Sequence, residues 1–556
     1  MNKILTLLIL SVFTCIVAVE AQNPRYLIEF TDKDSLHNPY TMDNADEFLS
    51  QEALLRREQQ NIELTNEDLP ISPRYIDSLK NRGIRIQNKS KWMNSIVAVL
   101  DTAIRDSLKK YEFIEKITYL APPRETSQKS VHRAEQSMHI SSNTSKSQVD
   151  SSTYGFAANQ IMMLNGDHLH KNGFRGEGKT IAIVDAGFPA SDSLPVFDSL
   201  WANQQILGQR DFEDPSNNLY EDGNRNHGTY VLSVIGSNSP GVLYGSAPGS
   251  DFWLLRSEVG SSEYLVEEYN WIAAAEFADS AGVDVINTSL GYTRFDDSLQ
   301  NHTYYDMDGK STAISLAASI AASKGMLIVV SAGNKGNDPW RYISAPADAE
   351  NILAVGAVDE FGMYASFSSV GPTADNRIKP EVTAQGQGTF IATPSGSIAA
   401  GNGTSFSSPI IAGLSACLWQ QYPEKTSGEI RDMIIRSCDQ YNNPDSLKGY
   451  GIPDFSIASD INKIQQAEKK IRVYPNPFKD SFQIELPDIP LKFNKVTLSI
   501  YNVLGKKVYM KTFSSDVVQQ TLTIEPKKAQ QEGVYFITIR YNDHYTLRKK
   551  ILKSSN

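Results

Sequence analysis

Cysteine is nearly missing from this chain. Only Cys15, Cys417 and Cys438 occur among its 556 residues, so at most one bridge can form beyond the extreme N-terminus, and buried apolar surface has to hold the fold. Cys417 falls in an apolar stretch, and both a Cys417–Cys438 bridge and two buried free thiols remain open. Positive charge is in deficit too: 64 acidic against 53 basic residues leave −11 at pH 7. With no basic patch to offset it, that balance excludes nucleic acid as a partner. After the N-terminus there is no run of about 18 apolar residues, the length a spanning helix needs, and a soluble mature chain is expected. Metal ligands are sparse as well. His168 and His170 are two apart and do not share a helix face as paired ligands would. Asp306 and Asp308 before Gly309 resemble a piece of a calcium loop without its other ligands, and a solvated turn is expected there.

What is present begins with a leader. Met1-Asn-Lys3 precedes the apolar run Ile4 to Val19, and Val19-Glu-Ala21 offers small residues for cleavage, the pattern of a secretory signal peptide over 1–21. Phe13 and Thr14 are poor residues ahead of a lipidated cysteine, so lipidation at Cys15 is set aside. The length, with 40% hydrophobic residues, fits several globular domains.

The chemistry-bearing residues cluster at strand ends and helix starts. Gly401 to Pro409 reads Gly-Asn-Gly-Thr-Ser-Phe-Ser-Ser-Pro and leads into Ile410-Ile-Ala-Gly-Leu414, a tight turn into a helix. Pro409 is expected in the first helical turn, where its missing N–H costs nothing. A serine hydroxyl needs a base, and the base an orienting carboxylate. Asp185 ends the apolar run Lys179 to Val184, and His227 stands directly before the helix-like Tyr230 to Gly236. Asn334 closes Met326 to Gly333, where its amide would donate to an oxyanion together with the Ser405 N–H. Runs at 179–185, 252–256, 283–289, 326–331 and 351–358 alternate with helical patterns at 263–281 and 311–324. That order predicts an α/β domain, a parallel sheet with helices on both faces, over 154–465.

These residues resemble those of the subtilisin-like serine proteases, the subtilases of peptidase family S8. The order Asp, His, Ser is theirs, unlike that of chymotrypsin-like or α/β-hydrolase enzymes. Val184-Asp-Ala-Gly187, His227-Gly-Thr229, Ser331-Ala-Gly-Asn334 and Gly403-Thr-Ser405 with Ser408-Pro409 carry the likeness. Tyr230 stands where many members have a second histidine, a departure that touches no catalytic role. The resemblance implies a subtilisin-like fold with Ser405 as nucleophile, His227 as base, Asp185 as orienter and Asn334 as oxyanion donor. It further implies that Ser289, Leu290 and Gly291 bind substrate backbone as an added strand, with Ser331, Ala332 and Gly333 as the facing wall of the primary pocket. Counting back from Ala354 to Ala357 puts Ser344 near the pocket base. No cofactor is required for such chemistry, structural calcium is frequent in the family, and the sequence locates no site for it. Peptides or proteins are the implied substrates of a monomeric enzyme. An inactive subtilase fold kept as a peptide-binding or adhesive surface protein is the alternative. A lipase or esterase is disfavoured because the serine is not in a Gly-x-Ser-x-Gly elbow.

Two further units flank this domain. Residues 22–120 carry strand patterns at 26–30, 95–100 and 117–120 and a helix pattern at 45–58, a small α+β unit similar to subtilase propeptides. Residues 121–153, rich in Ser, Gln, Lys and Thr, read as a flexible, cleavable linker. From 470 to 556, alternating runs at 482–486, 496–501 and 533–539 with glycine turns indicate a small β-sandwich. Tyr474-Pro-Asn-Pro-Phe478, Tyr501-Asn-Val-Leu-Gly505 and the terminal lysines resemble the type A sorting domain of the Bacteroidetes type IX secretion system. This implies the secretion machinery as a partner, and passage through the periplasm and across the outer membrane to the surface or medium.

Overall fold

Alternation at period two decides how the central sheet is buried. In Thr180-Ile-Ala-Ile-Val-Asp185, Ile181 and Ile183 enter one apolar core while Ala182 and Val184 enter another, so both faces require cover. A computed structural model describes residues 23–123, 153–221, 225–486, 494–514, 521–529, 531–541 and 545–554. The signal peptide of 1–21 and nearly all of the 121–153 linker lie outside the described residues.

The N-terminal unit pairs strands β1 (Arg25–Phe30), β2 (Arg85–Ser90), β3 (Ser95–Val99) and β4 (Ile114–Ala121) into an antiparallel sheet of order β2-β3-β1-β4. Helices α1 (Gln51–Gln59), α2 (Pro73–Lys80) and α3 (Thr102–Leu108) accompany it. The helix expected over 45–58 is broken. A 3₁₀ turn covers Met42–Glu47, and α1 starts afresh after Ser50, whose hydroxyl accepts the Ala53 N–H at 3.1 Å. Such a cap satisfies a first-turn amide and sets the helix start.

The large domain is built on seven parallel strands: β5 (Thr180–Asp185), β6 (Ile206–Asp211), β7 (Asp251–Arg256), β8 (Val285–Thr288), β9 (Leu327–Ser331), β10 (Leu353–Val358) and β11 (Val382–Gln385). Their spatial order is β11-β10-β9-β8-β5-β7-β6. Helices α4 (His227–Gly236) and α7 (Thr404–Gln421) pack against Ile181, Ile183, Val285 and Val329 on one face. On the other face α5 (Val266–Ser280) and α6 (Ala313–Ser323) pack against Ala182, Val184, Ile286 and Val330. Each isoleucine or valine so removed from water stabilises the fold by roughly 1.5–3 kcal/mol. Strands β6 and β11 escape the sequence reading because Gly208, Gln209 and Arg210 in one and Thr383 and Gln385 in the other interrupt any apolar run. Cys417 and Cys438 are both buried and unbridged, so the free-thiol alternative is the one realised. Burial pushes both thiols well above their ordinary range.

The N-terminal unit docks on α5 through charges rather than apolar contacts alone. Asp279, fully buried, meets Arg56 at 2.6 Å, Arg57 at 2.9 Å and Lys91 at 3.1 Å. Burial alone would raise its carboxyl, but Lys91, Arg56 and Arg57 hold it well below the ordinary carboxylate range. Beside it, Glu276 accepts the Ser90 hydroxyl at 2.5 Å and the N–H groups of Lys91 and Trp92 at 2.7 and 3.0 Å. Leu120 and Ala121, at the end of β4, pack against Val259 and Val266.

The helix α8 (Phe455–Lys470) leads to the C-terminal unit. Its strands are β12 (Arg472–Tyr474), β13 (Phe482–Glu485), β14 (Lys495–Asn502), β15 (Lys507–Ser514), β16 (Thr521–Ile524), β17 (Gly533–Tyr541) and β18 (Tyr545–Lys553). They form antiparallel sheets of order β12-β13-β16 and β15-β14-β17-β18 around one core that holds Phe478, Ile484, Leu498 and Ile537. This is the all-β unit the alternating pattern predicts. Among the described residues no helix is long and apolar enough to cross a membrane.

Candidate active site

Parallel strands present their C-terminal ends together, which is where open α/β sheets form clefts. Asp185 ends β5, Ser289 follows β8 and Ser331 ends β9. A cavity of about 650 Å³ opens there, lined by His227, Ser289, Leu290, Gly291, Asn334 and Ser405 among others.

Asp185 lies beneath the cavity, fully buried, and its Oδ1 meets His227 Nδ1 at 2.7 Å. The same oxygen accepts the Ala186 N–H at 2.7 Å. His227 is the first residue of α4, and Gly228 allows the helix to come this close: a Cβ there would stand 2.4 Å from the Gly187 carbonyl oxygen. The sequence Asp185-Ala-Gly and His227-Gly thus fit together backbone against backbone. The Phe406 ring flanks the imidazole at 6.1 Å between centroids.

Ser405 is the second residue of α7, so its N–H belongs to the first turn, where amides have no intrahelical carbonyl. Pro409 is not in that turn, contrary to expectation; it is the sixth residue of the helix. Lacking an N–H, it leaves the Ser405 carbonyl without its i+4 donor, and the Ser289 hydroxyl donates to that carbonyl instead at 3.0 Å. The Ser405 hydroxyl in turn donates to the Ser289 carbonyl at 3.2 Å. Ser289 is held by Asn287 Nδ2 at 3.1 Å, and Ser408 donates to Asn287 Oδ1 at 2.8 Å. The hydroxyl side chains of the Gly403–Pro409 run therefore brace β8 against α7.

Asn334 is oriented by Thr404, a residue the sequence reading did not single out. Thr404 N–H and Oγ1 donate to Asn334 Oδ1 at 2.8 and 2.9 Å. Both bonds fix the oxygen end of the amide, leaving Nδ2 as the end with donors to spare. The wall opposite Leu290 and Gly291 consists of Ser331 and Gly333, which line the cavity. Ala332 is the exception, since alternation along the extended chain turns its side chain into the apolar core. Gly333 has φ +104°, and a Cβ there would lie 2.9 Å from the hydroxyls of Ser344 and Ser369. Ser344 lies between the walls, its Cβ 2.9 Å from where a Cβ on Gly291 would stand.

Other cavity-lining residues came from no motif: Glu258, Glu263, Arg294 and Asp296. Burial raises the Glu258 carboxyl to about 7, while the nearby Tyr292 hydroxyl, itself pushed up by burial, donates to it. Asp306 and Asp308 cap turns. Asp306 accepts the Thr303 N–H and hydroxyl, and Asp308 accepts the N–H groups of Lys310 and Ser311.

A doubly covered parallel sheet that gathers a helix-borne serine, an imidazole and an oriented amide at one cleft defines the class of the serine endopeptidases. The profile of the subtilase family, peptidase S8, matches residues 93–451, and the chain belongs to that family. Residues 25–137 match the peptidase S8 propeptide domain of Bacteroidota, and residues 472–554 the secretion system C-terminal sorting domain. The protein is therefore a secreted serine endopeptidase made as a zymogen and exported by type IX secretion to the cell surface or beyond. It is 29% identical over 373 residues to subtilisin NAT of Bacillus subtilis subsp. natto, covering 66% of this chain and 81% of that one. With the subtilisin of Bacillus pumilus identity is 31% over 305 residues, 54% of this chain and 97% of the other. The crystal structure of MycP1 from Mycobacterium smegmatis superposes with a TM-score of 0.44 at 22% identity, covering 61% and 92% of the two chains.

Proposed function

We propose that Ser405, His227 and Asp185 form the catalytic triad and that the enzyme works through an acyl-enzyme. The observation that carries this reading is the 2.7 Å contact of His227 Nδ1 with Asp185 Oδ1 behind a cavity that His227 and Ser405 both line. With Nδ1–H donated to the buried carboxylate, Nε2 is the basic nitrogen. The Ser405 proton leaves the Ser289 carbonyl for Nε2 as Oγ bonds to the scissile carbon. Asp185 stabilises the imidazolium so formed. The carbonyl oxygen becomes an oxyanion, held by Asn334 Nδ2 and the Ser405 N–H. Collapse breaks the C–N bond, His227 returns its proton to the leaving amine, and water repeats the sequence to free the acid. No cofactor takes part.

Ser289, Leu290 and Gly291 pair with the substrate backbone as an added strand, and Ser331 and Gly333 face them, with Ser344 at the pocket base. We divide the chain into a signal peptide (1–21), a propeptide (22–120), a cleavable linker (121–153), the catalytic domain (154–465) and a sorting domain (470–556). The mature enzyme acts as a monomer on peptide or protein substrates.

Labelling with a fluorophosphonate probe tests the triad: the processed protein is expected to label and Ser405→Ala to stay unlabelled, whereas equal labelling of both would refute it. For Asn334→Ala, turnover is expected to fall by roughly 10² to 10³, a magnitude measured for an oxyanion-hole asparagine in subtilisin itself, a relative of this chain. KM should change little, and a loss expressed mainly in KM would reassign Asn334 to ground-state binding. Deleting residues 470–556 is expected to strand the protease in the periplasm; undiminished activity in the medium would remove the sorting role from this unit.

A further inference from the structure

Asn287 is an amide set among the apolar residues of a central strand, and it is fully buried. It lies on β8, which runs between β5 and β9, with Ile183 and Val329 as its register partners. Val285, two residues earlier, packs in the core under α7. Ile286 packs on the opposite face, where Thr288 accepts the Trp271 indole N–H at 3.0 Å. Alternation therefore aims the Asn287 side chain at α7. An amide buried there costs free energy unless both its ends are bonded, and both are. Oδ1 accepts the Ser408 hydroxyl at 2.8 Å, and Nδ2 donates to Ser289 Oγ at 3.1 Å. A serine hydroxyl carries a single proton. With Nδ2 as donor to its oxygen, Ser289 directs that proton to the Ser405 carbonyl at 3.0 Å, the carbonyl that Pro409 leaves without a helical donor.

We infer that Asn287 is a positioning residue for the reaction, whose amide fixes the backbone of Ser405 against the edge Ser289-Leu290-Gly291 on which the substrate lies. The inference rests on the reading of Ser405 as nucleophile and of that edge as the binding strand. Ser405 supplies the attacking oxygen and one N–H for the oxyanion, and Ser289 opens the edge. The bonded path from Asn287 through Ser289 to the Ser405 carbonyl joins the two. A second strut runs from Asn287 to Ser408, three residues further along α7. Without the amide, Ser289 Oγ loses its donor and is free to turn its proton away from the Ser405 carbonyl. Packing alone then holds the start of α7 to β8. A misplacement of about 1 Å is enough to cost on the order of 10² in rate. The backbone groups of the edge are untouched, so the substrate still binds and the loss falls on kcat.

Steady-state kinetics of the processed enzyme on a peptide substrate give the test, with Asn287→Ala, Ser289→Ala and the double variant. For Asn287→Ala, kcat is expected to fall by about tenfold or more while KM stays within about threefold. The rate of fluorophosphonate labelling should fall in the same proportion, because the probe needs the nucleophile and not the edge; a weakened edge alone would leave labelling unchanged. Ser289→Ala keeps the backbone edge and the bond of Asn287 to Ser408, and should lower kcat by about fivefold or more. Since both side chains act through one path, the double variant should lie within about threefold of Asn287→Ala and not at the product of the two losses. A smaller fall in kcat, a loss carried by KM with labelling unchanged, or losses that multiply in the double variant would each overturn the positioning role and leave the protease standing. Should Asn287→Ala fail to fold, Ser289→Ala decides by itself, and a fall in kcat of less than about fivefold overturns the inference. A parent enzyme that neither cleaves peptides nor takes up fluorophosphonate would instead defeat the triad on which the inference rests.

Discussion

Ser405→Ala is expected to lower turnover by roughly 10⁶-fold, as loss of the equivalent serine does in subtilisin, a relative of this chain. The residual rate should still exceed that of water by about 10³ to 10⁴, because the oxyanion donors and the substrate-binding edge survive. The substitution removes one oxygen from a helix start braced by Ser289 and Asn287, so the fold should persist. Since Ser289 Oγ donates to the Ser405 backbone carbonyl, that brace does not depend on the side chain removed. The variant should also retain residues 25–120 covalently attached. Normal removal of this unit in Ser405→Ala, read by mass spectrometry of the secreted protein, would show that another protease performs the cut.

Asp279→Ala is expected to release the propeptide. The aspartate is the common acceptor of Arg56, Arg57 and Lys91, and its removal leaves Arg56 and Lys91 at a buried interface without their ion-pair partner and Arg57 with Asp68 alone. Breaking a buried pair from one side costs about 3–5 kcal/mol, which corresponds to an association of the cut propeptide weaker by roughly 10² to 4 × 10³-fold. Part of that loss falls on the precursor's own folding, because the same contacts form before cleavage. Gel filtration of the processed enzyme gives the measurement: the cut propeptide should travel with the parent enzyme and separate from the variant. Arg56→Met in the Asp279→Ala background removes the cation whose ion pair was with Asp279 and should recover part of the association. Unaltered co-elution of the single variant would mean that the apolar contacts of Leu120, Ala121 and Trp92 hold the unit by themselves.

Much of the catalytic domain could be read from residue order because its strands are buried on both faces. Ile181 to Val184 and Leu327 to Val330 are short β-branched-rich runs, apolar without interruption and followed by glycine turns, a pattern that suits interior parallel strands. Edge strands such as β6 and β11 give no comparable signal. The helix break at Ser50 was equally hidden, because a capping serine differs from an ordinary helical serine only by the bond it makes. Pro409 lies one turn further along α7 than its sequence predicts, and the donor that replaces its missing N–H comes from Ser289, on another element.

The sequence alone determined the types of residue available for chemistry and their places at strand ends and helix starts. Asp185, His227, Asn334 and Ser405 all carried local signatures, since glycines and small residues must surround a side chain that sits at a tight turn. Tertiary structure decided which of these groups meet. Asp185 and His227 are 42 residues apart and touch because α4 presses its glycine-bearing start against the end of β5. It also decided the character of the cleft's acidic end, where Glu258, Glu263 and Asp296 come from two loops with no shared periodicity. Local pattern records the constraints on one segment, whereas contact between segments is fixed by how the whole core packs.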